Sequence, residues 1–72
     1  MAKEFTYEIV QPVAVLARSA NGRYTTELNY ISFNGQPAKL DLRKWDREKG
    51  KMFKGITLNE EEVAALKAVL CA

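Results

Sequence analysis

Apolar and polar residues alternate along most of the chain and then switch, near its end, to a helical spacing. From Phe5 to Arg18 the segment FTYEIVQPVAVLAR alternates and is rich in β-branched residues, which predicts a first strand. Pro12 has no amide hydrogen for a ladder, so it marks an edge position, a bulge or a break in that strand. Ser19-Ala20-Asn21-Gly22 reads as a turn, with Asn-Gly supplying positive φ. Tyr24 to Phe33 predicts a second strand, and Asn34-Gly35 after it is a strong hairpin signal. Lys39 to Trp45 predicts a third strand, and Arg47 to Lys51 a charged loop with Gly50. Met52 to Leu58 predicts a short fourth strand, interrupted by Gly55.

The helical spacing begins after Asn59, a good N-cap, and Glu62 three residues on completes a capping-box pattern. Glu60 and Glu61 fall in the first turn, where the macrodipole favours anions. Val63, Leu66 and Leu70 form one stripe with Val69 beside it, and the other side carries Ala64, Ala65, Ala68 and Cys71 with Lys67 as its only charge. A terminal helix with so little polar surface needs cover on two sides. The sheet is expected to cover the stripe, and a second subunit the side of Ala65, Ala68 and Val69. Strands first and one helix last is an α+β domain.

Size strengthens the dimer expectation. A 72-residue chain is one domain and buries little of its unfolded surface. Cys71 alone allows no intramolecular disulfide, and without histidine the chain has no structural zinc set. A partner subunit is the remaining supplement. The composition, 47% hydrophobic and 28% charged, is globular, and no apolar run is long enough to span a membrane. With a start reading MAKEFTYE and a free cysteine, the expected location is a reducing cytoplasm.

Charge is unevenly placed. Between Gln36 and Leu58 seven basic residues face only Asp41, Asp46 and Glu48, while the rest of the chain is net acidic. Catalysis has little to draw on. Histidine is absent, Cys71 sits in the last helical turn where the dipole disfavours a thiolate, and the four glycines form no phosphate-cradling motif. No enzyme activity, cofactor, metal or small-molecule substrate is expected.

The third strand carries the candidate chemistry. Alternation puts Lys39, Asp41, Arg43 and Trp45 on one face, and Leu40 and Leu42 on the other, toward the helix. Cations beside a flat ring suit single-stranded nucleic acid, since cations track phosphates and the ring stacks on an unpaired base. A core or interface role for Trp45, and a core role for Phe33, are the plainer alternatives.

The stretch LDLRKWDREKGKMFKGITLNEEEVAALKAVL resembles the signature half of the positive cofactor four transcriptional coactivator family. The matching elements are Asp41-Leu42-Arg43, Trp45 and Lys54-Gly55-Ile56-Thr57-Leu58, with Phe33-Asn34-Gly35 similar to the family's Phe-x-Gly hairpin. The whole chain is most similar to the bacterial YdbC-like branch. The resemblance implies a curved four-stranded antiparallel sheet followed by one helix, dimerised through the helices and adjoining strand. It implies sequence-tolerant binding of single-stranded DNA over the sheet, with Phe33 and Trp45 stacking and Arg43 and Lys54 on phosphates. Asn34 and Gln36 stand where the family often has lysines, so Lys39 is expected to replace that charge, and Lys51 belongs to the same cationic block. A protein–protein adaptor and a single-stranded RNA chaperone remain alternative readings.

Overall fold

The computed structural model describes residues 6–72. Strand β1 (Tyr7–Arg18), β2 (Tyr24–Phe33), β3 (Lys39–Asp46) and β4 (Lys51–Leu58) pair in chain order as an antiparallel sheet, followed by helix α1 (Glu60–Leu70). The expected start of β1 at Phe5 lies outside the described residues. The turns form where Asn-Gly was read: Gly22 has φ 74°, and Asn34 and Gly35 have φ 50° and 75°. Asn34 also ties the ribbon end, its backbone N–H donating to the Thr6 carbonyl and its Oδ1 accepting from the Thr6 N–H.

β1 is less regular than its alternation predicts. Its pairing with β2 skips one residue three times, at Val10, Val13 and Leu16. Each skip is a bulge, which bends the strand and raises its twist. Pro12 pairs opposite Asn29 on this edge strand, next to the middle bulge. The repeat along β1 is therefore three residues, so that Ile9, Pro12 and Val15 fall opposite Ile31, Asn29 and Glu27.

The accumulated bend coils the sheet onto one face. Tyr7 pairs with Phe33 and Trp45 with Thr25, at opposite ends of β2, yet the Tyr7 and Trp45 rings are 5.7 Å apart. The concave face so formed buries Ile31 and Trp45 together with Thr25, Glu27, Asn29 and Asp41. Leu40 is buried on the opposite face, where α1 lies.

The helix has the capping box expected of it: the Asn59 side chain accepts from the Glu62 N–H, and the Glu62 carboxylate accepts from the Asn59 N–H. Its cover is not as expected. No residue of α1 is buried; Val63 is half-buried, while Leu66 and Leu70 are 38% and 73% exposed. The sheet therefore does not close over the Val63–Leu66–Leu70 stripe. The stripe instead lines an open groove of about 270 Å³ with Val13, Leu28, Tyr30 and Leu40. Ala65, Ala68 and Val69 are exposed as well. α1 meets the sheet chiefly at β4, the strand it follows, and Val10, Val13 and Leu16 of β1 stay exposed.

Candidate nucleic-acid interface

Each side chain on the concave face is placed by strand register. Opposite one another stand Thr25 and Trp45, Glu27 and Arg43, Asn29 and Asp41, and Ile31 and Lys39. The face predicted for Lys39, Asp41, Arg43 and Trp45 is thus the one they share. Its openness is not as predicted. Trp45 is 1% exposed and Asp41 0%, because the coiled β1–β2 ribbon returns over them. This corrects the expectation of an exposed tryptophan ring. Trp45 is packed against Tyr7 and lies under Arg47, whose guanidinium sits 4.8 Å from the ring centroid. Its indole Nε1–H is buried without a hydrogen-bond partner among the described residues.

Buried carboxylates hold the arginines of this face in fixed positions. Arg43 Nε donates to both oxygens of Asp41, at 2.8 and 2.5 Å, and Arg43 Nη1 donates to the Phe53 carbonyl at 3.1 Å. The same guanidinium lies 5.4 Å from the Phe33 ring. Gly55 makes this packing possible, since a Cβ there would collide with the Arg43 Cβ. Arg43, for which the resemblance implied a phosphate contact, is thus paired with Asp41 and largely enclosed in the free chain.

Glu27 performs the same service for Arg47. Arg47 Nε donates to Glu27 Oε2 at 2.8 Å and Nη2 donates to Oε1, while Thr25 Oγ1 and Asn29 Nδ2 donate to the same carboxylate. Burial works against the charged form of Glu27. The hydrogen bonds from Arg47, Thr25 and Asn29 and the charge of Arg47 outweigh it and bring the carboxyl down to about 2. Two donors on one carboxylate fix the plane of the guanidinium, and Trp45 supports that plane from beneath. The Arg47 side chain remains 40% exposed. A position read from sequence as part of a solvated charged loop is thus an oriented, planar cation. No local signal marked it, since Glu27, which holds Arg47, lies on β2 and Trp45, which backs it, lies on β3.

Asp46 closes the end of the sheet. Arg23 donates to both its oxygens at 3.1 and 3.0 Å, and the Glu48 and Lys49 amides donate to Oδ1, which shapes the β3–β4 turn. The hydrogen bond from Arg23 holds the Asp46 carboxyl below its usual value despite burial. Of the remaining candidates, Phe33 and Lys39 belong to the concave face. Lys51 and Lys54 do not: β4 is bulged opposite Lys44, and the register turns Lys51, Phe53 and Lys54 toward the opposite face. Among the described residues no group of histidine, cysteine and carboxylate side chains could hold a metal ion. No helix there is long and apolar enough to cross a membrane.

An open antiparallel sheet with one C-terminal helix, carrying rings and cations on a coiled face, defines a small sheet-surface binding domain. The family model for Transcriptional Coactivator p15 (PC4) matches residues 23–69, and the chain belongs to that family. The family is one of non-enzymatic, nucleic-acid-binding coactivators. The chain is also similar to an uncharacterized protein of Treponema pallidum (strain Nichols), 43% identical over 67 residues that span 93% of this chain and 78% of that protein.

Proposed function

We propose that the protein binds single-stranded DNA as a homodimer, with little regard to sequence and without catalysis. The observation that carries this reading is the convergence of Tyr7, Phe33, Trp45, Arg43 and Arg47 from three strands and a turn onto one coiled face. Such a face meets unpaired bases, whose flat sides are hidden in a duplex. Trp45 is too enclosed to receive a base itself. Arg47 takes that part: Trp45 backs it, Glu27 fixes its plane, and its remaining surface faces outward. Bases stack on guanidinium planes as they do on rings. Lys39, exposed on the same face, meets phosphates.

The uncovered face supports the dimer. Val10, Val13 and Leu16 are the bulge residues of β1 and are exposed, as are Leu66, Val69 and Leu70 of α1. A second copy seated there supplies the cover that one helix over four strands cannot.

Fluorescence anisotropy with oligo-dT, oligo-U and a hairpin-free duplex, at two salt concentrations, tests the reading. Oligo-dT is expected to bind far tighter than duplex, with a log–log salt slope of about −0.7 per phosphate neutralised. Arg47→Ala is expected to weaken oligo-dT by about tenfold or more, the worth of one stacked base. Equal affinity for single strand and duplex would end this proposal, and tighter binding of oligo-U would move it to RNA.

A further inference from the structure

The face opposite the concave one carries a second cluster of rings and cations. Tyr24 and Phe53, from β2 and β4, lie 6.0 Å apart across β3. Phe53, 42% exposed, is the most open aromatic side chain among the described residues. Lys44 lies between the two rings in the register, opposite Thr26 on β2 and opposite the bulge of β4 that sets Phe53 and Lys54 on this side. A cleft beside Tyr24 is lined by Arg18, Ser19, Thr26 and Lys44. The nearby acids do not cancel these cations, because Arg23 already engages both Asp46 and Glu48 while lying over the Tyr24 ring.

The position of this cluster gives it a role. Tyr24 pairs with Asp46 and Thr25 with Trp45, so the Tyr24–Phe53 patch and the Arg47–Trp45 stack occupy the same end of the sheet on opposite faces. Between them runs the β3–β4 turn with Lys49, followed by Lys51 at the start of β4, both exposed. We propose that Tyr24 and Phe53, with Lys44 and Lys54, form a second stacking station for the same single strand. The strand passes from Arg47 over the cationic turn to the other face. This rests on the single-strand reading above and adds the path of the strand. Exposed rings stack on bases of any identity, and the lysines on either side neutralise the phosphates between stations. Lys51 and Lys54 thereby gain a place in binding that the concave face does not offer them.

Oligo-dT of about 5 and about 16 nucleotides, spanning the usual site sizes of small single-strand-binding folds, separates the two stations. The wild type is expected to bind the longer oligomer at least about tenfold tighter than the shorter. Phe53→Ala with Tyr24→Ala, and separately Lys44→Glu, are expected to erase most of that difference and leave the short oligomer unaffected. Lys44→Glu alters an exposed side chain and guards against loss of fold, which urea melts check in each variant. Unchanged binding of the long oligomer overturns the second station. So does an equal loss for both lengths, or a shift of the monomer–dimer equilibrium with binding intact, which would assign the patch to the subunit interface. Failure of the wild type to bind either length is a different result and removes the single-strand reading itself.

Discussion

The Arg47 guanidinium lies over Trp45, 4.8 Å from its ring centroid, and helps to cover a ring that the sequence marked for exposure. The two residues have exchanged the parts their chemistry suggests. The aromatic ring is the support and the cation is the accessible plane. Glu27 makes the exchange durable, since moving Arg47 away would leave a buried carboxylate without its cation, at a cost of several kcal/mol.

Trp45 should therefore behave as a core residue. Trp45→Ala is expected to lose about 3–5 kcal/mol of stability in urea melts. Trp45→Phe should lose much less, because it removes a buried Nε1–H that has no acceptor among the described residues, a group costing about 1–3 kcal/mol. Intrinsic emission of the free protein should already be blue-shifted. A maximum typical of a solvated indole would contradict the packing described.

Stability should fall in acid through Glu27. Its carboxyl lies at about 2 in the folded chain against an ordinary 4.5. A depressed folded value means that the contribution is complete above about 4.5 and is lost as pH drops toward 2. The difference corresponds to about 3 kcal/mol at most, less what solvent screening of the partly exposed Arg47 removes. Urea midpoints across that range should decline for the wild type and decline less for Glu27→Gln, which starts lower. Parallel curves would exclude Glu27 as the group responsible. Asp46, also held low by Arg23, titrates in the same direction and limits how flat the variant's curve becomes.

Gly55 should be intolerant for a reason unrelated to φ. A Cβ there would collide with the Arg43 Cβ and lie 2.6 Å from the Leu42 carbonyl oxygen, so strands β3 and β4 would have to part. Gly55→Ala is expected to cost about 3 kcal/mol or more. Gly22→Ala is the comparison: its φ of 74° is strained for alanine but nothing lies within 4 Å, so a loss of about 1 kcal/mol is expected. Equal losses in thermal melts would count against the close approach at Gly55.

Much of this fold is legible in sequence because local chemistry decides it. Asn21-Gly22 and Asn34-Gly35 set the turns, Asn59 and Glu62 start the helix, and alternation correctly puts Lys39, Asp41, Arg43 and Trp45 on one face. The coil of the sheet is decided elsewhere. Residues of β-branched or apolar type at Ile9, Val10, Val13, Val15 and Leu16 satisfy a period of two and a period of three almost equally, and only pairing with β2 selects the three bulges. Once the ribbon coils, Tyr7 reaches Trp45 from the far end of β2, which no local window contains. The same limit hid Arg47, whose importance depends on Glu27 twenty positions away.

The helix supplies the most decisive test of assembly. Sequence spacing made Leu66 and Leu70 the sheet-facing stripe, so that charging either would harm fold and dimer together. In the folded chain Leu70 is 73% exposed, and a glutamate there would cost a single subunit only about 0.5 kcal/mol, as surface changes do. In a dimer that seats a second copy on the Val13–Leu28–Leu66–Leu70 groove, the same change buries an unpaired charge. Leu70→Glu is thus expected to yield a monomer by light scattering while keeping its strand and helix content by circular dichroism. Ala65→Glu, one step off the stripe, should weaken the dimer less. Because association stabilises only the folded chain, the wild-type melting midpoint should rise with protein concentration, and that of Leu70→Glu should not. A wild type that scatters as a monomer at micromolar concentration, with a concentration-independent midpoint, would show that this apolar face stays uncovered and would remove the dimer from the proposed function.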